Sequence, residues 1–256
     1  MGSEHKEHIL DQFTRQAVPF ATAAAIRNED ALNRIVKMAE AGPDDTVLDV
    51  ACGPGLLACA FARVARHVTG IDLTPAMLEQ AQALQRQQGL ENITWQEGDV
   101  LPLPYADHSF SIVTARFAFH HFLDPLAVLK EMRRVCRPGG RVVVYDSAPA
   151  ADKADAFNRM ERLRDPSHVR ALPPEEHRAL FGEAGLPAPR VQPDRSPGDV
   201  ESLLARSFPR EGDADRIRKI FADSLEHDDL GMGAVRENGK ITFAFPTLIL
   251  ASTVSA

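Results

Sequence analysis

The most informative segment of the chain is Val47-Leu48-Asp49-Val50-Ala51-Cys52-Gly53-Pro54-Gly55, which continues into the apolar residues 56–64. A short run of strand type, a turn with two glycines and a helix-compatible run together predict a strand, a turn and a helix. Glycines in such a turn allow a ligand to approach the backbone at a helix N-terminus, where negative groups are favoured. The segment therefore predicts a ligand site at the end of the first strand of an α/β domain.

The same plan repeats along the chain. Four further strands are predicted, at residues 68–71, 93–95, 110–113 and 142–145, and helices are predicted after the first, second and fourth of the five strands. Thr74 followed by Pro75, and Asp124 followed by Pro125, are typical of helix N-termini. Because continuously apolar strands alternate with helices, the sequence predicts a mostly parallel sheet with helices on both faces. The order of the strands does not follow from this pattern.

Both ends of the chain extend this core. Apolar residues at helical spacing between Leu32 and Ala39 predict a helix that Gly42-Pro43 ends. A second amphipathic helix is expected after Asp213, which would be its N-cap. Asn238-Gly239 ahead of residues 240–250 predicts a hairpin and a terminal antiparallel strand.

The composition limits the classes of function. With 44% hydrophobic and 25% charged residues, the chain has the composition of a globular protein. A net charge of −7 without a basic block argues against nucleic acid as a partner. We see no apolar run of about 18–20 residues and no apolar signal core after Met1, so we expect no membrane span and a cytoplasmic location. Cys52, Cys59 and Cys136 lack metal-site spacing, so we expect buried thiols and no metal.

Acidic residues at the predicted strand ends narrow the choice of ligand. Asp72 ends the second strand about 20 residues after the glycine turn, where a carboxylate can accept both hydroxyls of a ribose. Residues 53–58 also fit the dinucleotide pattern G-x-G-x-x-G/A, so a nicotinamide oxidoreductase has to be considered. Asp49, however, would repel a pyrophosphate and attract an ammonium group. Asp99 follows the third strand, where it can accept from an adenine amino group.

These features occur in the order found in one family. The chain resembles class I S-adenosylmethionine-dependent methyltransferases, and within them the ubiquinone/menaquinone-biosynthesis C-methyltransferases. The resemblance is close over residues 43–146 and rests on the glycine-rich motif at 47–55, Gly70-Ile71-Asp72, Gly98-Asp99-Val100, residues 107–113, Arg116-Phe117, His120-His121-Phe122 and Arg137-Pro138-Gly139-Gly140. Ala51 stands where the family usually has the first glycine of its motif, and its Cβ narrows the turn.

The resemblance implies a cofactor, S-adenosylmethionine, whose product is S-adenosylhomocysteine. The cofactor-binding residues that it implies are Asp49, Ala51, Gly53, Gly55, Asp72, Leu73, Met77, Asp99, Val100, Arg116 and Phe20. The candidate substrate-contacting residues are Phe13, Phe117, His120 and Phe122. His120 or His121 is the natural base if the nucleophile must lose a proton. The alternative for the histidines, the aromatic side chains and Met77 is a purely structural role in packing. The alternative for Arg116 is a structural salt bridge.

We therefore expect methyl transfer to a small-molecule acceptor by in-line SN2 displacement, with positioning as the main catalytic effect. An inactive cofactor-binding regulatory protein and an NAD(P)-dependent oxidoreductase are the alternatives. The acceptor, the methylated atom and the oligomeric state are left open.

The resemblance implies a Rossmann-like fold, and we expect seven principal strands in one domain, 1–256. Its parts are N-terminal helices at 1–42, a cofactor-binding core at 43–146, insertions at 147–187 and 196–239 that form a substrate cap, and a terminal strand at 240–252. The arginines of the first insertion, among them Arg164, are largely offset by Glu161 and other acids. A solvated helix face is therefore the favoured interpretation of that charge.

Overall fold

A computed structural model describes residues 3–22 and 27–255 of the chain. The N-terminal region contains α1 (Ser3–Thr22) and α2 (Glu29–Met38). The core consists of β1 (Thr46–Val50), α3 (Leu56–Ala62), β2 (His67–Asp72), α4 (Pro75–Gln88), β3 (Ile93–Glu97), β4 (Phe110–Arg116), a 3-10 turn (Phe119–His121), α5 (Pro125–Val135) and β5 (Cys136–Ser147). The remainder consists of α6 (Ala154–Arg164), α7 (Pro174–Glu183), β6 (Arg190–Asp199), α8 (Val200–Ala205), α9 (Asp213–His227), β7 (Val235–Glu237) and β8 (Lys240–Thr253).

The strands form one sheet in the order β3-β2-β1-β4-β5-β8-β6, with β7 paired to β8. The five strands β1 to β5 pair in parallel, and β8 is antiparallel to both β5 and β6. The predicted mostly parallel sheet with an antiparallel last strand is confirmed. The hairpin turn is also where the sequence predicts it, because Asn238 and Gly239 take φ values of 49° and 79° between β7 and β8. The short strand β7 comes in addition to the seven expected strands.

Apolar side chains alternate between the two faces of the sheet, so helices cover both. Val47 and Val143 face a core shared with α2 and α3, whereas Leu48 and Val144 face a core shared with α5 and α7. A third apolar cluster joins α6, α8, α9 and β8. It gives the insertions a small core of their own, which we call the cap. Residues 23–26, within the predicted N-terminal segment 1–42, lie outside the described residues.

Several local predictions differ from the structure. Helix α2 ends at Met38, and the residue after it with a positive φ is Glu40, at 51°, not Gly42. Gly42 instead belongs to a turn in which it donates its N–H to Asp45 Oδ2 at 2.9 Å. The N-cap of α9 is Gly212 at φ 81°, and Asp213 is the first helical residue.

Strand β6 also differs from the prediction. It continues to Asp199, four residues into the segment 196–239 that was expected to be an insertion. This strand holds Pro193 and Pro197 because it is paired on one side only, by β8.

Two findings concern the expected classes of site. Cys52, Cys59 and Cys136 are buried free thiols, as the sequence predicts. Over residues 3–22 and 27–255, no helix has both the length and the apolar character to cross a membrane, and no group of three or more His, Cys, Asp or Glu side chains is arranged to hold a metal ion.

Candidate functional site

A cavity of about 900 Å³ opens at the carboxyl ends of the central strands. The strand order reverses between β1 and β4, and crevices at such points are the usual ligand sites of open α/β sheets. All of the predicted cofactor residues except Gly55 line this first cavity: Asp49, Ala51, Gly53, Asp72, Leu73, Met77, Asp99, Val100, Arg116 and Phe20.

The glycine turn forms one wall of the first cavity. Ala51 and Gly53 take φ values of 54° and 52°, and a Cβ on Gly53 would meet no atom within 4 Å. The Asp72 carboxylate fixes this turn, because Oδ2 accepts from Gly53 N–H at 2.8 Å and Oδ1 from Thr74 N–H at 2.9 Å. Burial raises the pKa of Asp72, and these hydrogen bonds offset part of the rise. The turn therefore exposes its backbone to the cavity in a fixed conformation.

Gly55 does not line the cavity. It is the N-cap of α3 at φ 77°, and an added Cβ would lie 2.6 Å from Trp95 Cη2 and 2.8 Å from Ala81 Cβ. The structure thus places this glycine against the side chains of β3 and α4 rather than beside a ligand. Its small size is required for packing, not for the close approach that the sequence interpretation assigned to it.

Asp49 is a buried carboxylate at the base of the first cavity. It is 1% exposed, and its Oδ2 has no hydrogen-bond partner within the described part of the chain. Burial raises the pKa of Asp49 to about 8, although the charge of Arg116 opposes the rise. A buried carboxylate without full compensation is costly. A ligand that brings a positive charge to this position would remove that cost.

Residues of α1 close the rim of the first cavity. Lys6 Nζ lies 2.5 Å from Asp99 Oδ2, and Ile9, Phe13 and Phe20 line the wall. Asp99 also accepts from Leu101 N–H through Oδ1 at 3.2 Å. The first helix thus covers the edge of the cavity at which the predicted adenine-binding acid lies.

A second cavity, of about 570 Å³, lies between the sheet and the cap. It shares Phe13, Phe20, Phe117 and His121 with the first cavity. Of the predicted substrate residues, Phe122 lines only the first cavity and His120 only the second. The other residues that line the second cavity are Ser147, Glu161, Arg164, Asp165, Ser196, Leu203, Arg206 and Phe245.

The sequence interpretation did not identify these cap residues as part of a site. Arg164 is not on a solvated helix face: it is buried, with Nε and Nη2 bonded to Glu161 at 2.9 and 2.6 Å. The alternation of arginines and acids in the sequence is the same for a solvated pair and for a buried one.

His120 pairs with a residue that the sequence interpretation missed. Its Nδ1 lies 2.5 Å from Asp146 Oδ1, and Asp146 Oδ2 accepts from Phe119 N–H at 2.7 Å. Burial alone would lower the pKa of His120, but the charge and hydrogen bond of Asp146 outweigh burial and raise it. Burial likewise would raise the pKa of Asp146, but the interactions with His120 lower it. Asp146 directly follows a predicted strand, the same signal that identifies Asp72.

His121 has different surroundings. Burial and the neighbouring charge of His120 lower the pKa of His121 to about 4. Its Nδ1 lies 3.1 Å from both the carbonyl oxygen and the hydroxyl of Ser167, and its ring centroid is 5.0 Å from that of Phe13. His121 is therefore neutral near pH 7 and held by packing at the junction of the two cavities.

Comparison with known proteins decides the family. The family described as "Methyltransferase domain" matches residues 48–144. YcgJ of Bacillus subtilis, named an uncharacterized methyltransferase, is 31% identical over 242 residues, which are 93% of this chain and 96% of that protein. The chain belongs to the methyltransferase family.

Solved structures and a further relative are similar to this methyltransferase in fold or in sequence. The crystal structure of YcgJ has a TM-score of 0.81 at 29% identity and covers 89% of this chain and 99% of its own. A putative methyltransferase of Bacillus halodurans C-125 has a TM-score of 0.81 at 26% identity, covering 89% and 100%. The ubiquinone/menaquinone biosynthesis C-methyltransferase UbiE of Bdellovibrio bacteriovorus is 41% identical over 115 residues, 44% of this chain and 48% of that protein.

The resemblance found in the sequence is confirmed: this is a class I, Rossmann-like methyltransferase whose cofactor is S-adenosylmethionine. The comparisons do not favour a nicotinamide oxidoreductase or an inactive protein. The first cavity of the methyltransferase also fits the cofactor, since Asp49 lacks a partner for a buried oxygen and the turn at Gly53 is open to a ligand.

Proposed function

We propose that this methyltransferase methylates a small molecule that binds in the second cavity. The observation that carries the proposal is the junction of the two cavities at Phe13, Phe20, Phe117 and His121. The second cavity is lined by apolar and polar side chains together, among them Leu203, Phe245 and Ser147, as small-molecule sites commonly are. The cap and α1 enclose this space between helices, which suits a small acceptor better than a segment of a macromolecule.

The first cavity would hold the cofactor by charge and shape. Asp49 would bind the ammonium group of its methionine portion, and Arg116 the carboxylate. Asp72 would accept from the ribose hydroxyls, since each of its oxygens has a second lone pair beyond the backbone bonds. Asp99 and Val100 would contact the adenine edge, with Met77 and Phe20 as apolar walls. When bound, the cofactor supplies an electrophilic methyl group on a sulfonium.

The aromatic side chains at the junction would align the acceptor with that methyl group and exclude water. Alignment for in-line attack accounts for most of the rate enhancement that such a site can supply. Phe13, Phe117 and Phe20 offer apolar walls where the positive charge of the sulfonium is dispersed, and their ring faces also attract a cation.

We propose His120, rather than His121, as the base for an acceptor that must lose a proton. Asp146 engages Nδ1 of His120 and leaves Nε2 for the acceptor, and the raised pKa allows the ring to keep the proton that it receives. A pKa of about 4 makes His121 a much weaker proton acceptor.

The proposed function is tested with S-adenosylmethionine labelled in its methyl group. The protein is incubated with the labelled cofactor and an extract that contains metabolites, protein and nucleic acid, and the products are separated by size. We expect label in the low-molecular-weight fraction, and much less of it with the Asp49→Asn variant. Label in the protein or nucleic-acid fraction would contradict a small-molecule acceptor.

Replacing His120 by glutamine should lower kcat by about 100-fold or more, with cofactor affinity unchanged. Because the base must be neutral, kcat of the wild-type enzyme should rise with pH through the raised pKa of His120, above 6.5. The measurement is a pH–rate profile with the acceptor found by the labelling experiment. His120→Gln should flatten this profile, and an unchanged profile in the variant would exclude His120 as the base.

Cofactor affinity should increase with pH. Asp49 holds a proton below a pKa of about 8, and a bound ammonium group favours the ionised carboxylate, so binding releases that proton. We expect the affinity for S-adenosylhomocysteine to rise between pH 6 and 8, approaching about tenfold per pH unit. Calorimetry in two buffers of different ionisation enthalpy measures the released proton. A pH-independent affinity without proton release would contradict the role of Asp49.

A further inference from the structure

Arg206 is a buried cation that the cap contributes to the wall of the second cavity. It follows the last turn of α8, is 9% exposed and lines the cavity wall. Its Nη1 donates to the Ser202 carbonyl oxygen at 3.1 Å. Within the described chain, no carboxylate lies within salt-bridge distance of this guanidinium. A guanidinium has five N–H donors, so most of those of Arg206 are left for the cavity.

The other charged side chains of this cavity are already paired. Glu161 accepts from Arg164 through both oxygens. Asp165 accepts from the Ser167 N–H and hydroxyl at 2.9 and 2.6 Å. His120 has its partner in Asp146. Arg206 is therefore the charged group in the wall of the second cavity that is left to bind a ligand.

A purely structural role does not account for Arg206. A cation at a helix C-terminus interacts favourably with the last carbonyl groups, and the bond to Ser202 is such an interaction. An exposed arginine would make this interaction with the helix carbonyl groups equally well. Burial instead disfavours the charged form and lowers the pKa of Arg206 to about 10, with the nearby charge of Arg164 as the second cause, and the charges of Glu161 and Asp199 oppose only part of the fall. Burial of the charge is thus a cost that a bound anion would offset.

We propose that Arg206 binds a carboxylate of the methyl acceptor, so that the substrates of this enzyme are small carboxylic acids. The inference rests on the proposed function, since it assigns the acceptor to the second cavity. A carboxylate matches the planar fork of a guanidinium. A phosphate dianion fits less well because Glu161 and Asp165 also face the cavity.

The shape of the cavity places this anchor away from the reacting end. Phe13, Phe20, Phe117 and His121 form the junction with the cofactor cavity, whereas Arg206 lines only the second cavity. The acceptor then has an apolar or aromatic part that reaches the junction and a carboxylate at the cap. Binding of the carboxylate fixes the orientation in which the acceptor meets the methyl group.

The test compares matched acids and amides on the protein saturated with S-adenosylhomocysteine. The probes are benzoate, phenylacetate and 3-phenylpropionate with their carboxamides, so that the chain length varies at constant charge. Dissociation constants are measured by calorimetry or ligand-observed NMR. We expect at least one acid to bind about tenfold or more tightly than its amide.

Two variants and a control assign this preference. Arg206→Gln should abolish it, and Arg206→Lys should keep a reduced preference because the charge remains without the fork. Arg216→Gln removes an exposed arginine of α9 and should leave the preference intact. A structural role alone would change the stability of the variants but not the acid-to-amide ratio.

Equal binding of every acid and amide, binding of neither class, or a preference that persists in Arg206→Gln would overturn the inference. Affinity for S-adenosylhomocysteine is measured on the same samples and tests the proposed function separately. If that affinity is absent, the proposed function is contradicted, and the acid-to-amide ratio of the cofactor-free protein still decides the role of Arg206.

Discussion

Replacing Asp49 by asparagine is expected to weaken binding of S-adenosylhomocysteine and, at the same time, to stabilise the cofactor-free protein. The loss of a buried charged partner corresponds to about 2–4 kcal/mol of binding free energy. Stability should increase on the order of 1–3 kcal/mol, because the amide does not have to be desolvated as a carboxylate. Calorimetry and urea denaturation measure the two effects.

The stability effect has a defined pH dependence. The pKa of Asp49 is about 8 in the folded protein and near 3.8 as an unperturbed side chain. Because the folded protein binds the proton of Asp49 more tightly than the unfolded chain, the protonated side chain favours folding fully below about pH 4. This contribution to the free energy of unfolding is lost as the pH rises to about 8. The gain from Asp49→Asn should therefore be largest at and above pH 8. Asp223→Asn, at an exposed site of α9, is the control. Unchanged affinity or a less stable variant would contradict the assignment of Asp49.

Replacing Gly55 by valine is expected to destabilise the fold by about 2–5 kcal/mol. The new side chain would have to adopt φ 77° with its Cβ 2.6 Å from Trp95 and 2.8 Å from Ala81. Neither neighbour can move easily, since Ala81 is fully buried on α4 and the Trp95 ring is held by the hydrogen bond from its Nε1 to Gln85 Oε1 at 2.7 Å. Urea denaturation gives the free energy of unfolding.

Gly53→Ala is the matched control. Gly53 also has a positive φ, but its Cβ would meet no protein atom within 4 Å and would point into open space beside the cofactor cavity. We expect a small loss of stability, about 1–2 kcal/mol, together with weaker cofactor binding. A stable Gly55→Val protein that has lost only its cofactor affinity would show that Gly55 does approach the ligand.

The cofactor end of the site could be predicted from the sequence because it follows from periodicity. Asp49, Asp72 and Asp99 each lie at or just after the end of a strand, and the carboxyl ends of parallel strands meet at one edge of the sheet. Gly55 shows the limit of this reasoning. A glycine that faces a ligand and a glycine that faces Trp95 look the same in the motif, and only the register of β2 and β3 distinguishes them.

The acceptor end depends on tertiary packing. Arg206 lies in a segment far from the core motifs, and it reaches the second cavity because α6, α8 and α9 pack around Phe157 and Phe221. An amphipathic pattern predicts that such helices pack on the domain, but it does not predict which elements they pack against. Asp146 is an intermediate case: the strand-end signal was present, but the pairing with His120 depends on how the chain turns after β4.

The central claim is that the cavity at the ends of β1 to β4 binds S-adenosyl compounds through three acids. A crystal structure of the protein with S-adenosylhomocysteine tests it most directly. We predict the amino group at Asp49, the ribose hydroxyls at Asp72 and the adenine at Asp99 and Val100, with the sulfur facing the junction with the second cavity. Ligand density elsewhere, or an adenosine bound without these three carboxylates, would contradict the account.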